Sequence, residues 1–368
     1  MQIIGSRLKE DLPKIRLKWL RWYCKIDFNL ALIILILGKK GSGKSALVEA
    51  LGLRYPKIID MFASRDDEGL AWCRDNSPID NILLVHGDNV DVNCSWDTCP
   101  TGKLTYNKIN DYEVVIPSYS FFSGNTGRFV GINKLIEVFW QRRTWKKPIY
   151  VAVREASSFL YSRVKQEGGG LNMKAAKADF LYWQREMRHF GYALGIDTIR
   201  WTSIDKEMRD NADCQIIKKV GPQGLPSDIS FLYKYISPRS MAGLPPDSFM
   251  LIADNAAIAL GKSEYPVFHK EEGVDLLAEL GITMEYGEEM VLDNTHKIGD
   301  ETHVKLIALY ATGDYNMEQV AKRISRSKFS VSSHVNRHNI AVKDDGLCPI
   351  CNRARGDNSD IEIRIKGR

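Results

Sequence analysis

From residue 30 onward, short apolar runs alternate along the chain with helix-sized amphipathic segments. The runs are rich in Ile, Val and Leu, which is typical of strands buried on both faces of a parallel sheet. The pattern therefore predicts an α/β fold, with a mainly parallel sheet covered by helices on both faces. We predict strands at Leu30–Leu37, Lys57–Phe62, Asn81–Val85, Glu113–Pro117, Pro148–Val153, Tyr192–Thr198 and Cys214–Lys218.

Two more apolar runs, Ile229–Tyr235 and Phe249–Ala259, extend the predicted sheet, the second as a hairpin around Asp254-Asn255. After about residue 290 the spacing changes and predicts short helices at Glu301–Thr312, Asn316–Ile324 and Lys328–Asn339. We therefore expect four regions: an N-terminal segment (1–29), the α/β domain (30–290), a small all-α module (300–343) and a polar tail (344–368).

The N-terminal segment is basic and amphipathic over residues 6–25. We interpret it as a helix in which Pro13 sits early or produces a kink. Such a helix could be an arm on a partner subunit, on DNA or on an anionic membrane. It could equally pack on its own domain.

Composition excludes several classes of protein. The longest apolar run, Leu30–Leu37, is far shorter than the ~18 residues that span a bilayer, so we expect no stable membrane insertion. Seven cysteines, an odd and sparse set, argue against a disulfide framework and for a reducing compartment. We expect no secretory signal peptide and a cytoplasmic location.

The formal net charge is only +5, but it is concentrated. Between Thr302 and Lys343 there are seven Lys and Arg residues and two acidic ones. A local basic patch of this kind favours a phosphate-bearing partner, although a solvated helical face would give the same pattern.

The segment Gly38-Lys39-Lys40-Gly41-Ser42-Gly43-Lys44-Ser45 matches the phosphate-binding loop (P-loop) pattern G-x-x-x-x-G-K-S. It follows a predicted buried strand and precedes a helical run, which is the context the pattern needs. Lys44 would contact the β- and γ-phosphates of ATP, and the Ser45 hydroxyl would ligate Mg²⁺. The alternative is a tight turn without a ligand. Backbone N–H groups would surround the phosphates at Gly38, Gly41, Ser42, Gly43, Lys44, Ser45 and Ala46.

The strand Pro148–Val153 ends in Arg154-Glu155. In motor-type ATPases the second nucleotide motif ends in Asp-Glu, where the aspartate supports Mg²⁺ and the glutamate polarises the attacking water. Glu155 keeps that glutamate, whereas Arg154 replaces the aspartate. A buried strand end that pairs Arg154 internally is the alternative.

The stretch from Arg185 to Asn211 carries a further pattern: Arg188 and Gly191 in a turn, a strand ending in Thr198 and Arg200, then Ile204-Asp205 and Arg209-Asp210-Asn211. With the P-loop, this resembles the HerA/FtsK superfamily of ring-forming DNA-pumping ATPases, which includes viral genome-packaging ATPases and conjugative coupling proteins. The resemblance covers roughly residues 30–262. It departs from the family pattern at two positions. Arg154 stands where the family has aspartate, and Ile199 stands where it has glutamine.

The resemblance implies a RecA-like P-loop NTPase that forms a ring, with six subunits expected, and moves double-stranded DNA in packaging, conjugation or helicase-like work. It implies that Arg188 reaches the neighbour's nucleotide and that Thr198 and Arg200 sense the γ-phosphate. It also allows a location with a virus or mobile element inside its host. The two departures favour an alternative, a DNA-binding regulator or scaffold that binds ATP and hydrolyses it little.

Residues Asn316–Asn339 are interpreted as a helix-turn-helix, packed through Val320, Ala321, Val331 and Val335. DNA binding is predicted for this module, with a basic protein-interaction module as the alternative. The residues expected to face DNA are Arg326, Lys328, Ser332, Ser333, Asn336 and Arg337.

Cys348-Pro349-Ile350-Cys351 has the spacing of half a zinc site. His334 and His338 lie four residues apart on the predicted recognition helix and would supply the other half. A tetrahedral Zn²⁺ would then hold the polar tail onto that helix. Alternatively, the remaining ligands come from elsewhere in the chain or from another subunit.

Overall fold

The fold is taken from a computed structural model of the 368-residue chain. The chain divides into two compact units, Met1–Gly287 and Glu288–Arg368. The residues described are 12–27, 29–61, 67–142, 146–156, 170–201, 204, 206–221, 224–253, 256–287, 317–323 and 331.

Within these residues, eleven strands of the first unit form one sheet, in the order β1-β12-β11-β10-β2-β9-β8-β3-β7-β4-β6. Every pair from β10 to β6 is parallel, and the pairs β10–β11, β11–β12 and β12–β1 are antiparallel. The strands are β1 (Ile15–Arg21), β2 (Ile33–Leu37), β3 (Lys57–Met61), β4 (Ile82–His86), β6 (Asp97–Pro100), β7 (Val114–Ile116), β8 (Ile149–Val153), β9 (Tyr192–Thr198), β10 (Cys214–Ile217), β11 (Ser248–Ala253) and β12 (Ala257–Ser263).

A separate antiparallel pair joins β5 (Val90–Asn93) to β13 (Thr283–Tyr286). The helices of the first unit are α1 (Lys44–Gly52), α2 (Tyr106–Asp111), α3 (Gly124–Phe139), α4 (Gly170–Glu186), α5 (Lys206–Asp210), α6 (Pro238–Ala242) and α7 (Leu276–Glu279). Short 3-10 helices occupy Glu68–Cys73, Thr101–Lys103, Tyr119–Phe121 and Ser227–Lys234.

Both faces of the sheet are covered, as the sequence predicts. In the central strand β2 all five residues are buried, and their side chains alternate between the two faces. Leu35 and Leu37 join the core formed with α3 and α4, whereas Ile34 and Ile36 join the core formed with α1. The α/β fold class, with a mostly parallel mixed sheet, is confirmed.

The prediction of a helix over residues 6–25 is wrong for the part that the structure describes. Residues Ile15–Arg21 form β1, an edge strand antiparallel to β12. Ile15, Leu17 and Trp19 pack against the core at every second position, which is the period of a half-buried strand. Pro13 lies just before the strand, where its missing N–H costs no ladder hydrogen bond.

The run Ile229–Tyr235 is not a strand, since Ser227–Lys234 forms a 3-10 helix. The hairpin predicted within Phe249–Ala259 is confirmed by the antiparallel pairing of β11 with β12, and its turn residues 254–255 lie outside the described part. In the second unit, helix α8 (Met317–Arg323) lies within the predicted helix Asn316–Ile324, and Val320 and Ala321 are buried.

Candidate functional site

The P-loop connects the end of β2 to the start of α1 at the carboxyl edge of the parallel strands. Neighbouring strands hold it through backbone hydrogen bonds. Gly38 N donates to the carbonyl of Thr198 at the end of β9, and Lys39 N donates to the carbonyl of Lys219 beyond β10. The loop is thereby fixed to three adjacent strands of the sheet.

Two glycines of the loop have left-handed backbones, Gly41 at φ +69° and Gly43 at φ +76°. Their surroundings differ. A Cβ at Gly43 would lie 2.4 Å from the carbonyl oxygen of Pro246 and 2.2 Å from the Tyr265 hydroxyl, whereas a Cβ at Gly41 would have open space around it. Glycine is therefore required at Gly43 by both conformation and close packing.

We expect Gly43→Ala to destabilise the protein more than Gly41→Ala. Each substitution forces a side chain into the left-handed region, which costs about 1–2 kcal/mol. Only Gly43→Ala adds a collision with the Pro246 backbone, worth about 1–3 kcal/mol more. Urea unfolding without nucleotide measures the difference, and equal losses for the two variants would contradict the packing at Gly43.

Lys44 and Ser45 stand at the first positions of α1. Lys44 is 7% exposed, and its Nζ lies 3.5 Å from the carbonyl oxygen of Lys39 within the loop. The Ser45 hydroxyl donates to Glu68 Oε2 at 2.6 Å. Glu68 begins the 3-10 helix that follows β3 in the chain, so the carboxylate on the loop serine does not come from the end of β8, where Arg154 stands.

The Glu68 carboxylate is held in its charged form. Burial pushes its pKa up, but Arg154, the Ser45 hydroxyl and Lys44 together outweigh burial, and the pKa ends below its ordinary value. The side chain remains 27% exposed. Glu68 is therefore a charged carboxylate that accepts a hydrogen bond from the loop serine and is reachable from solvent.

Arg154, at the end of β8, is fully buried and held by carboxylates. Its Nε and Nη2 donate to both oxygens of Asp60 at 2.6–3.1 Å, and its Nη1 donates to Glu49 at 3.2 Å and lies 3.6 Å from Glu68. Burial opposes its charge, but these carboxylates raise the Arg154 pKa well above the ordinary value. Arg154 thus pairs internally, with partners on α1, β3 and the 3-10 helix at Glu68–Cys73.

Further donors complete this arrangement, which we call the Arg154 cluster (Glu49, Asp60, Glu68, Trp72, Arg154 and His269). Trp72 Nε1 donates to Asp60 at 2.7 Å, and His269 Nδ1 lies 2.8 Å from Glu49. Three carboxylates face this guanidinium, and Glu68 is the one that also reaches Ser45. A carboxylate and a hydroxyl side by side are oxygen ligands of the kind that a divalent cation prefers.

Glu155 follows Arg154 with a left-handed backbone, φ +45°, which is unusual for a residue with a Cβ. Its N–H donates to Asp197 Oδ1 at 2.5 Å, so the neighbouring strand β9 fixes the turn. Burial raises the pKa of Asp197 although Lys44 and the Glu155 N–H pull it down. A strained backbone at the carboxyl end of a central strand is a common feature of functional sites.

Thr198 is fully buried, and its hydroxyl bonds the backbone of Arg200 while its carbonyl holds Gly38. Ile199 and Arg200 are exposed. Thr198 therefore couples the turn containing Arg200 to the first residue of the P-loop.

Arg188 is placed apart from these residues. Its Nη2 contacts both oxygens of Asp213 at 2.5 Å, and Asp213 also accepts from the N–H of Ile33, the first residue of β2. The P-loop follows the last residue of β2, whereas Asp213 and Arg188 lie at its first residue. Arg188 is therefore at the amino-terminal ends of the parallel strands, and the P-loop of its own chain is at their carboxyl ends. Its side chain is 47% exposed.

The C-terminal predictions fall outside the described residues. These are the DNA-facing residues Arg326, Lys328, Ser332, Ser333, Asn336 and Arg337, and the zinc ligands His334, His338, Cys348 and Cys351. Within the described ranges, no group of three or more His, Cys, Asp or Glu residues is arranged to hold a metal ion. No helix in that part of the chain is both long and apolar enough to cross a bilayer.

Sequence reasoning missed Glu68, Asp60 and Lys218. Glu68 and Asp60 are separated from Arg154 by more than 80 residues, and no spacing rule connects them. Lys218 directly follows β10, the strand beside β2, and its only signal in the sequence is a lysine that closes an apolar run.

Comparisons with known proteins add little. No protein-family model and no curated protein matches the chain. Among solved structures it is similar to the genome packaging NTPase B204 of Sulfolobus turreted icosahedral virus 2 in complex with ATPγS, with 17% identity and a TM-score of 0.37 over 64% of this chain and 97% of that one.

It is also similar to the pCW3 conjugation coupling protein TcpA with ATPγS, with 15% identity and a TM-score of 0.38 over 70% of this chain and 67% of that one. A third similar structure is the cytoplasmic domain of the Thermomonospora curvata type VII secretion ATPase EccC, with 10% identity and a TM-score of 0.36 over 65% and 24%.

Proposed function

We propose that this protein is a Mg²⁺-dependent P-loop ATPase that acts as a motor on double-stranded DNA. The observation that carries the ATPase assignment is the carboxylate bonded to the P-loop serine. Ser45 donates to Glu68, and at the end of β8, the next strand but one to β2, the N–H of Glu155 donates to Asp197. A nucleotide-binding loop with carboxylates at its rim has the parts needed for phosphoryl transfer to water.

The loop itself fits a triphosphate. Its left-handed glycines leave backbone N–H groups free of Cβ atoms, and the buried Ser42 hydroxyl has no hydrogen-bond partner among the described residues. Lys44 would leave the Lys39 carbonyl to contact the β- and γ-phosphates, and the N-terminus of α1 would add its positive dipole.

Ser45 and Glu68 would hold Mg²⁺, Ser45 through its hydroxyl and Glu68 through its carboxylate. When bound, Mg²⁺ supplies charge neutralisation on the phosphates. Glu155 would orient the attacking water and accept its proton, while Thr198 and Arg200 would respond to the γ-phosphate. Arg188 would act on the nucleotide of a neighbouring subunit in a ring, which we expect to be a hexamer.

The DNA part of the proposal is supported by charge and by motif. The basic segment between Thr302 and Lys343 contains the predicted helix-turn-helix, and its first core residues, Val320 and Ala321, are buried. Ser332, Ser333, Asn336 and Arg337 would contact bases, with Arg326 and Lys328 at the phosphates. A zinc ion at His334, His338, Cys348 and Cys351 would fix the tail.

Arg154 and Ile199 favour a second candidate, a DNA-binding regulator that is gated by ATP and hydrolyses it slowly. Ile199 is exposed where a glutamine would otherwise reach the phosphates, and it has no group to contact them. Such a protein would bind ATP and DNA with negligible turnover.

Steady-state ATP hydrolysis by the full chain, with and without duplex DNA, separates the two candidates. The motor is expected to show turnover that DNA stimulates and that Lys44→Ala removes, and native mass spectrometry with ATPγS should show a ring. Tight ATP binding without measurable turnover would reject the motor in favour of the regulator. Failure to bind ATPγS would reject both.

A further inference from the structure

Lys218 is a buried cation beneath the P-loop that the mechanism above does not use. It directly follows β10, and its N–H donates to the carbonyl of Leu37, the residue before Gly38. Its side chain has no exposed surface, and its Nζ has no hydrogen-bond partner among the residues that the structure describes. A buried ammonium without an acceptor is strongly unfavourable in a folded protein.

The surroundings of Lys218 are those of the phosphate site. A Cβ built on Gly38 would lie 3.0 Å from Lys218 Cβ, 2.5 Å from Ser42 Oγ and 3.4 Å from Lys44 Cγ. Ser42 Oγ is a second buried polar atom that has no partner in the described part of the chain. The side chains that carry the two unsatisfied atoms therefore both start beside the first glycine of the loop, and Lys44 is close enough to Lys218 to repel its charge.

The protein supplies little to balance this charge. Burial lowers the pKa of Lys218 to about 8; Asp247 acts against that effect, and Lys44 adds to it by repulsion. Lys218 Nζ lies at a distance of 5.9 Å from the centroid of the Phe249 ring. An anion entering the loop would be attracted to both lysines.

We infer that Lys218 is a second phosphate-binding lysine of the P-loop site, whose ammonium group, with the Ser42 hydroxyl, is completed by a phosphate of the bound nucleotide. The inference rests on the proposed nucleotide binding. It explains why a lysine is retained at the end of an apolar strand, because its cost in the free protein is offset when the ligand is bound.

Binding of ATPγS at pH 7 by the full chain tests this, by titration calorimetry on wild type, Lys218→Met and Lys219→Met. Lys218→Met should weaken binding about tenfold to a hundredfold, the effect of one lost charge-assisted hydrogen bond. Lys219→Met keeps the backbone carbonyl that accepts from Lys39 and removes only the adjacent, half-buried ammonium, so it should change affinity less than twofold. Unchanged affinity in Lys218→Met would overturn the inference while leaving the proposed function intact, and wild type that binds no ATPγS would overturn both.

Thermal unfolding without nucleotide supplies a second readout. Lys218→Met should unfold at an equal or higher temperature, because it removes an unpaired buried charge. The folded-state pKa of Lys218 lies below its ordinary 10.5, so the penalty is fully present below pH 8 and fades as the pH rises toward 10.5. A lower unfolding temperature for Lys218→Met at pH 7 would show that the lysine is paired within the protein, which would overturn the inference.

Discussion

Replacing Arg154 by methionine is expected to destabilise the first unit by about 3–5 kcal/mol. The guanidinium is the cation shared by Glu49, Asp60 and Glu68, and both the arginine and its first two partners have fully buried side chains. Without it, two buried carboxylates lose their counter-ion and the cluster carries excess negative charge. Urea unfolding followed by tryptophan fluorescence measures the loss, since Trp72 is part of the cluster.

Two comparisons show whether the loss comes from charge. Arg185→Met removes an exposed arginine that is paired with Glu207 and should have a much smaller effect. Adding Glu49→Gln and Asp60→Asn to Arg154→Met should recover part of the lost stability, because neutral amides tolerate the missing cation. A triple variant less stable than Arg154→Met would contradict the assignment of the cluster as an ion network.

Arg154→Asp, which introduces an acidic residue at the end of β8, should destabilise more than Arg154→Met. A fourth carboxylate would then join three that have lost their counter-ion. The departure at Arg154 is therefore tied to Glu49, Asp60 and Glu68, and a single substitution cannot reverse it.

Glu155→Gln is expected to lower DNA-stimulated turnover by about 10²–10⁴-fold, the usual contribution of a positioned general base. ATPγS affinity should be kept, because Glu155 would act on water and not on the phosphates. Glu68→Gln should behave differently and raise the Mg²⁺ concentration for half-maximal turnover about 10–100-fold. Mg²⁺ titrations of steady-state hydrolysis on both variants measure the two effects.

The isosteric glutamines serve as each other's controls, since each removes one charge and changes little in shape. If saturating Mg²⁺ failed to restore turnover in Glu68→Gln, Glu68 would not be the metal-side carboxylate. If Glu155→Gln kept wild-type turnover, the water would be oriented by another group, and Asp197, which lies beside Lys44, would be the next residue to substitute.

The central sheet could be predicted because its strands are buried on both faces. Tyr192–Thr198 is recovered with its predicted bounds, and Ile149–Val153 differs by one residue. The edge strand Ile15–Arg21 was misread because a short basic segment with leucines every few residues also fits a helix. The alternation of Ile15, Leu17 and Trp19 indicates a strand only when this segment is paired with β12, which lies about 240 residues away in the chain.

The site was predictable where its residues are contiguous, as in the P-loop, and not where the fold brings distant residues together. The sequence indicates that Arg154 replaces an acid, but only the structure shows that the acid on Ser45 comes from Glu68. Likewise, nothing local to Lys218 indicates that its side chain starts beside Gly38. Register between neighbouring strands places these groups, and pairing of strands far apart in sequence cannot be read from either strand alone.

The position of Arg188 restricts how copies of this chain can assemble if that arginine serves a neighbour. It sits at the amino-terminal rim of the central strands, whereas the nucleotide loop lies at the carboxyl rim. A two-fold dimer joins identical surfaces. It would bring Arg188 of one copy to the nucleotide loop of the other only if a single surface included both ends of the central strands. Head-to-tail contact, in which one rim of each copy faces the other rim of the next, meets the requirement directly and generates a closed circle or an open spiral according to the rotation between copies.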